Sequence, residues 1–372
     1  MTYIESAAGL EDMSMYVTGR ALTDLLGTMQ PGVKVSPDPL PNHFYNYDGS
    51  RIGDFSGITV DPTDPTTFWA VNEYAIEADP SGVIPNWGTY IGQFNVDTSP
   101  AFAEPLPTGN GAPSNPKPGG PGIPPKDHEL PRSRGRLLLQ LPPLGPHRPN
   151  AGGITGSGPS SGPSPLLVST GASFAGLNTN DAGSNIEPPD PIAAAGPTAI
   201  VEMVNSNIAY YDKTTGSQLF TEDLGKFFAS VDPQPTLLSD VNVTYDEQAG
   251  RFFVSTMDIV IDLDFANLAS YFNFAISNDS DPMDGFQFYQ INTTETSDRT
   301  GEALFTDFPR LGWNADAYVV TFNMFGFLST FVGDAPVEYN VQIVTMDKAK
   351  LLDPVNPTLS VHKGDLTSNS TP

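Results

Sequence analysis

Apolar positions along residues 166–372 recur in short runs rather than at helical spacing. The run 199–211, AIVEMVNSNIAYY, is β-rich and ends in the turn Asp212-Lys213-Thr214-Thr215-Gly216. Residues 241–245 lead through the turn 246–250 to RFFVST at 251–256. YFNFAIS at 271–277 and FQFYQI at 286–291 flank a turn around 281–285. Residues 311–314 meet YVVTFN at 318–323, and YNVQIVTM at 339–346 forms a further run. Strands of four to eight residues separated by Asp/Gly turns predict an all-β protein. Helical pieces are expected only at 19–27, 224–228 and 264–268.

Three stretches share one plan, in which an aromatic strand end meets an Asp or Asn turn and a second strand leaves. They are YYDKTTGSQLF from Tyr210, TYDEQAGRFFV from Thr244 and GWNADAYVVTF from Gly312. Such turns suit hairpins. Their recurrence predicts repeated β-units, either blades of a propeller, which hides its sheet edges by radial packing, or a sandwich.

Composition divides the chain in three. Residues 1–100 carry 13 acids and 3 bases, 101–165 carry 3 and 6, and 166–372 carry 27 and 8. The net charges of −10, +3 and −19 add to the −26 of the whole chain. The middle segment holds 16 prolines and 12 glycines, a composition that resists helix, ladder and core alike. It reads as a disordered Pro/Gly-rich linker or insert, or as a stretch in the wrong reading frame or at a gene junction. The expected organisation is therefore an N-terminal segment with one blade-like unit (1–100), the linker (101–165) and further blades (166–372).

Several function classes drop out. The chain has no cysteine, hence no disulfide, thiolate nucleophile or zinc–sulfur centre. An excess of 43 acids over 17 Lys and Arg opposes nucleic-acid binding. No apolar run approaches the 18 or so residues of a membrane-spanning helix. The start carries early acids and no basic n-region, so no secretory signal peptide is visible. Even so, few lysines and abundant Asp, Asn, Thr, Ser and Gly suggest an extracellular or cell-surface setting. Nucleophile elbows, P-loops and dinucleotide-binding glycine loops are absent from the sequence.

Four blocks carry a resemblance: EPPDPIAAAGPTAIVEMVNSNIAYYDKTTG (187–216), DVNVTYDEQAGRFFVS (240–255), ISNDSDPMDGFQFYQI (276–291) and TDFPRLGWNADAYVVTFNMF (306–325). Together they resemble a largely uncharacterised family of bacterial secreted or cell-surface β-propeller proteins, over residues 185–350. The second block departs from the family pattern, with Val241 where Pro tends to follow the Asp. SRIGDFSGITVDPTDPTTFWAVNEYA (50–75) and NWGTYIGQFNV (86–96) resemble the closing blade, which in that family follows the others. The resemblance implies a partial or permuted β-propeller of four-stranded antiparallel blades, incomplete at its C-terminus or joined out of order.

Carboxylates supply the candidate chemistry. Asp190, Asp240 and Asp307 precede strands in the family-like blocks, with Arg310 nearby and Glu73 on the N-terminal unit. Strand starts line one end of a propeller, so these five are candidates for a channel-end or ligand-binding site. Asp258, Asp262 and Asp264 would share one face of a strand, and Asn278, Asp279, Asp281 and Asp284 form an oxygen-rich loop. Both suit structural Ca²⁺, with solvated turns as the alternative, and no other cofactor is expected. Asp61 and Asp64 read as turn caps. The expected function is a noncatalytic module for adhesion or ligand binding, with a glycan or protein partner. The alternatives are a propeller-based glycan hydrolase or lyase using clustered Asp and Glu, which needs two carboxylates a few ångströms apart in a cleft, and a partial gene product.

Overall fold

The computed structural model describes residues 2–6, 13–19, 32–37, 56–76, 87–96, 168–179, 181, 188–262, 267–332 and 340–366. The segment 101–165 lies outside the described residues, as do Asp264 and the expected helix at 19–27 beyond its first residue.

Among the described residues the fold is all-β and built of five antiparallel sheets, each an up-and-down meander. Sheet I holds β1 (Thr2–Ser6), β2 (Met13–Val17) and β3 (Val33–Lys34). Sheet II holds β4 (Gly57–Asp61), β5 (Asp64–Ala75), β6 (Trp87–Val96) and β7 (Val168–Asn178). Sheet III holds β8 (Ile192–Ala195), β9 (Ala199–Val204), β10 (Asn207–Asp212) and β11 (Gln218–Asp223). Sheet IV holds β12 (Leu238–Asp246), β13 (Arg251–Ile261), β14 (Leu268–Ser277) and β15 (Phe286–Asn292). Sheet V holds β16 (Glu295–Thr296), β17 (Ala303–Trp313), β18 (Ala317–Gly326), β19 (Asn340–Asp347) and β20 (Val361–Leu366). Strand β7 pairs with β6, so sheet II joins the two sides of the Pro/Gly-rich segment.

The sheets pack face to face in order, and strand patterns follow from that. Sheet III is covered on both faces, so AIVEMV in β9 is buried throughout. Ile200 and Val204 pack with Trp69, Val71 and Ile91 of sheet II, whereas Val201 and Met203 face Val241, Phe252 and Val254 of sheet IV. Sheet V is covered on one face by sheet IV. Along β18, Tyr318, Val320, Phe322 and Met324 are buried, and the residues between them are half-buried. On the far side of sheet II, Ala70, Phe94 and Val168 meet Met15 and Val17 of sheet I. The strands β4, β8, β12 and β17 lie beside one another from sheet to sheet.

The expected helix at 224–228 is present as a single turn, α1 (Leu224–Phe227), with Asp223 as its cap accepting from the Lys226 amide at 3.2 Å. Leu268 opens β14 instead of closing a helix. The three similar turns are all hairpins, but they are not equivalent. Those after Thr244 and Gly312 join the first long strand of a sheet to the next, whereas YYDKTTG joins the third strand of sheet III to its fourth. That explains their irregular spacing.

Candidate functional site

Just before β8, early in β12 and midway along β17 the backbone departs from regular strand geometry, so of the three aspartates expected at strand starts only Asp190 precedes its strand, whereas Asp240 and Asp307 lie within theirs. Asp190, just before β8, has φ +49°, Asp240 in β12 has φ +53°, and Phe308 in β17 has φ +54°. Pairing with the adjacent strand is broken between Ser239 and Asn242 and again between Asp307 and Arg310, marking a bulge at each place. A non-glycine residue held at positive φ costs roughly 1–3 kcal/mol and persists only where its surroundings determine it.

Here a hydrogen-bond relay does so. The Asn205 side chain, in the β9–β10 turn, donates to Asp190 Oδ2 at 2.8 Å and to the Pro188 carbonyl at 3.0 Å. Its Oδ1 accepts from the Asp240 amide at 2.9 Å, which crosses from sheet III to sheet IV. Asp240 Oδ2 accepts from the Phe308 amide at 2.9 Å, which crosses to sheet V. Asn242 adds a bond to the Pro309 carbonyl at 3.1 Å. Asp190 and Asp240 are both buried. The structural counterpart of Asp190 and Asp240 in sheet V is Phe308, and Asp307 precedes it by one residue.

Arg310 is exposed, and its guanidinium lies 3.7 Å over the Phe308 ring. Partial desolvation lowers its pKa, and the Asp240 charge opposes that shift. Asp307 is buried opposite Asn323 in β18, and Glu73 is buried in β5 opposite Thr89 of β6. The relay thus links Asp190 and Asp240 through Asn205, and the Arg310 charge is felt by Asp240.

The candidate ion ligands occupy separate places. Asp258 is fully buried in β13 and accepts from the amides of Thr236 (2.9 Å) and Leu237 (2.7 Å) through Oδ1. Its Oδ2 has no N–H or O–H donor among the described residues. Burial pushes this carboxyl up, and the neighbouring Asp232 adds to the shift, while the two amides oppose it. Asp232 itself accepts from Asn273 Nδ2 at 2.5 Å. Strand β13 ends at Ile261, so Asp262 lies beyond it. In the second loop the oxygens bond within the loop: Asp279 Oδ1 takes the Asp281 amide, Asp281 Oδ1 takes the Met283 amide, and Asn278 Nδ2 donates to the Asp284 carbonyl. The Asp279 charge raises the pKa of exposed Asp284. Among the described residues, no group of three or more His, Cys, Asp or Glu side chains is placed to hold a metal ion.

Several residues that matter most carry little motif signal. Asn205 is the hub of the relay. Glu202, fully buried in β9, accepts from Tyr211 OH at 2.8 Å, from the Leu177 amide at 3.0 Å and from Thr89 Oγ1. It therefore ties sheet III to sheet II. Burial raises its pKa despite those three donors. Asp61 does cap its turn, accepting from the Thr63 amide at 2.8 Å, but it also receives Trp69 Nε1 at 2.9 Å and Lys213 Nζ at 2.9 Å. Burial alone would raise its pKa, yet these hydrogen bonds outweigh it and hold the carboxyl at about 2. The only early trace of Lys213 and its counterpart Lys348 is the Asp-Lys pair that closes the third strand of sheet III and the corresponding strand of sheet V.

No protein-family model, curated protein or solved structure matches the chain, so its placement rests on the residues and the geometry described above: an all-β protein of stacked antiparallel sheets.

Proposed function

We propose that the chain is a noncatalytic binding module of the β-propeller type, secreted or displayed at a cell surface. Sheets II to V are then consecutive blades, with β4, β8, β12 and β17 nearest a common axis. The ligand, a glycan or a protein, binds beside the bulges of β12 and β17, where Arg310 and Phe308 form the contact surface.

One observation carries this reading. The Asp190 carboxylate accepts from Asn205 within sheet III, and the Asp240 carboxylate accepts from the Phe308 amide and so ties sheet IV to sheet V; both are engaged in structural hydrogen bonds. An acid–base pair for glycoside hydrolysis needs carboxyls that reach substrate and water. An exposed arginine stacked on an aromatic ring at the same end suits recognition instead.

The test is binding of the immobilised full chain to glycan and protein arrays, alongside turnover of chromogenic glycosides. Arg310→Ala is expected to weaken binding tenfold or more while the melting temperature holds. Turnover that disappears in Asp190→Asn or Asp240→Asn at unchanged melting temperature would overturn the reading in favour of a hydrolase or lyase.

A further inference from the structure

Two lysines, Lys213 partly buried and Lys348 buried, occupy equivalent places in different sheets. Lys213 directly follows β10, the third strand of sheet III, and Lys348 directly follows β19, which holds the same place in sheet V. Their backbone amides donate to the Thr198 carbonyl (2.9 Å) and the Asp316 carbonyl (3.0 Å). Their ammonium groups donate to the Gly196 carbonyl (2.9 Å) and the Asn314 carbonyl (2.8 Å). Gly196 and Asn314 each begin the turn that leaves the inner strand of their own sheet.

Each lysine also reaches one sheet back. Lys213 Nζ lies 2.9 Å from Asp61, and Lys348 Nζ is paired with Asp246. Asp61 and Asp246 are the last residues of β4 and β12, where the first strands of sheets II and IV enter their turns. The side chain of Asp246 is fully buried and that of Lys348 is 5% exposed. Asp246 further accepts from Tyr318 OH of sheet V at 2.8 Å, and Lys348 lies 4.9 Å from the Trp313 ring centre.

Between sheets III and IV both halves of this arrangement are missing together. The turn of sheet III begins with Gly196 where sheets II and IV have Asp. The third strand of sheet IV is followed by Asn278 where sheets III and V have Lys. A Cβ on Gly196 would sit 2.5 Å from Phe252 Cζ, so that interface is closed by an aromatic ring against bare backbone. The Asn278 side chain bonds to the Asp284 carbonyl and Gln287 within its own sheet.

From this alternation we infer that the lysine–aspartate latches specify which sheet packs on which. Successive sheets of similar size and pattern could associate in several orders. A lysine presented by sheet III or V accepts only a neighbour whose inner strand ends in Asp. Against Gly196 its ammonium would be buried without a counter-charge, which is strongly unfavourable. Sheets II with III, and IV with V, therefore form selective pairs, and the glycine–phenylalanine contact joins the pairs.

The test uses the full chain with neutral substitutions that keep the turn-capping oxygens. Asp246→Asn strands Lys348 and is expected to lower the melting temperature by about 5–10 °C. Adding Lys348→Met removes the stranded charge and is expected to restore at least half of that loss. The fourfold variant Asp61→Asn, Lys213→Met, Asp246→Asn, Lys348→Met is then refolded from urea and separated by size. It is expected to keep its β circular dichroism but to yield at least twofold less monomer, the remainder appearing as exchanged dimers and larger species. Refolding to one monomeric species at the wild-type yield would overturn the inference, as would equal melting losses in Asp246→Asn and the double variant.

Discussion

The contact between sheets III and IV and the contact between sheets IV and V solve one packing problem in opposite ways. The first is apolar, with Val201, Met203, Ile208 and Tyr210 facing Val241, Val243, Phe252 and Val254, and with Gly196 making room for Phe252. The second has an apolar body too, including Phe253, Phe274, Tyr318 and Phe322, but at its rim it buries Asp246 and Lys348. Apolar burial supplies strength and little discrimination, because any apolar face of suitable shape will serve. A buried ion pair adds little net stability over an apolar substitute, yet penalises a wrong neighbour heavily. The two interfaces thus separate adhesion from selection.

That separation can be attacked from its strong side first. Phe252→Ala removes the ring that fills the space over Gly196 and should cost about 3–5 kcal/mol in urea unfolding, with the refolded product still monomeric. A swapped product would mean that the apolar contact also selects. Asn205→Ala should cost about 2–3 kcal/mol, since it removes the hydrogen bonds to the Asp240 amide and to Asp190 Oδ2 while two residues sit at positive φ. Because the relay crosses the III–IV contact, a loss below 0.5 kcal/mol would show that bulge geometry alone holds that end.

Acid sharpens the contrast further. Asp61 has a folded pKa of about 2 against an ordinary 3.8. Its contribution, on the order of 2 kcal/mol, is therefore complete above the ordinary carboxylate range and is lost as pH falls toward 2. Asp61→Asn should flatten stability across that acid window. Asp258 moves the other way: its folded pKa is raised, so it favours the folded state at low pH, and that advantage fades as pH rises through the folded value. Asp258→Asn keeps an acceptor for Thr236 and Leu237 and should raise stability at pH 7 by about 1 kcal/mol, measured by melting across pH 4 to 8. The smallest effect is expected at Lys226, whose pair with Glu222 lies on the surface; Lys226→Ala should cost under about 0.5 kcal/mol.

The all-β class and most strands were legible because burial leaves a pattern in strand residues. The alternation along β18 and the continuous apolar run of β9 report one covered face and two. Turn chemistry is legible as well, since Asp61 and Asp64 cap turns in the expected way. What stayed hidden depends on contacts between distant segments. Asn205 looks like an ordinary turn residue, and only the fold brings it to Asp240. Phe308 occupies the place that Asp190 and Asp240 hold in their sheets, so a search for aligned carboxylates selects Asp307, one position early. Asp258 is close to Asp262 in sequence, whereas the fold sets it beside Asp232. Lys213 and Lys348 were visible only as Asp-Lys after a strand, a pair too common to single out.

The alternating turn residues also constrain how such a protein can change in length. Removing sheet III would set the Asp61 turn against sheet IV, which offers Asn278 where a lysine is required. Removing sheet IV would set Lys348 against the turn of Gly196, with no carboxylate to meet it. Deleting sheets III and IV together leaves Asp61 facing Lys348, and duplicating them together preserves every match. Gain and loss of sheets in this lineage should therefore proceed by even numbers, a parity rule written in six turn residues.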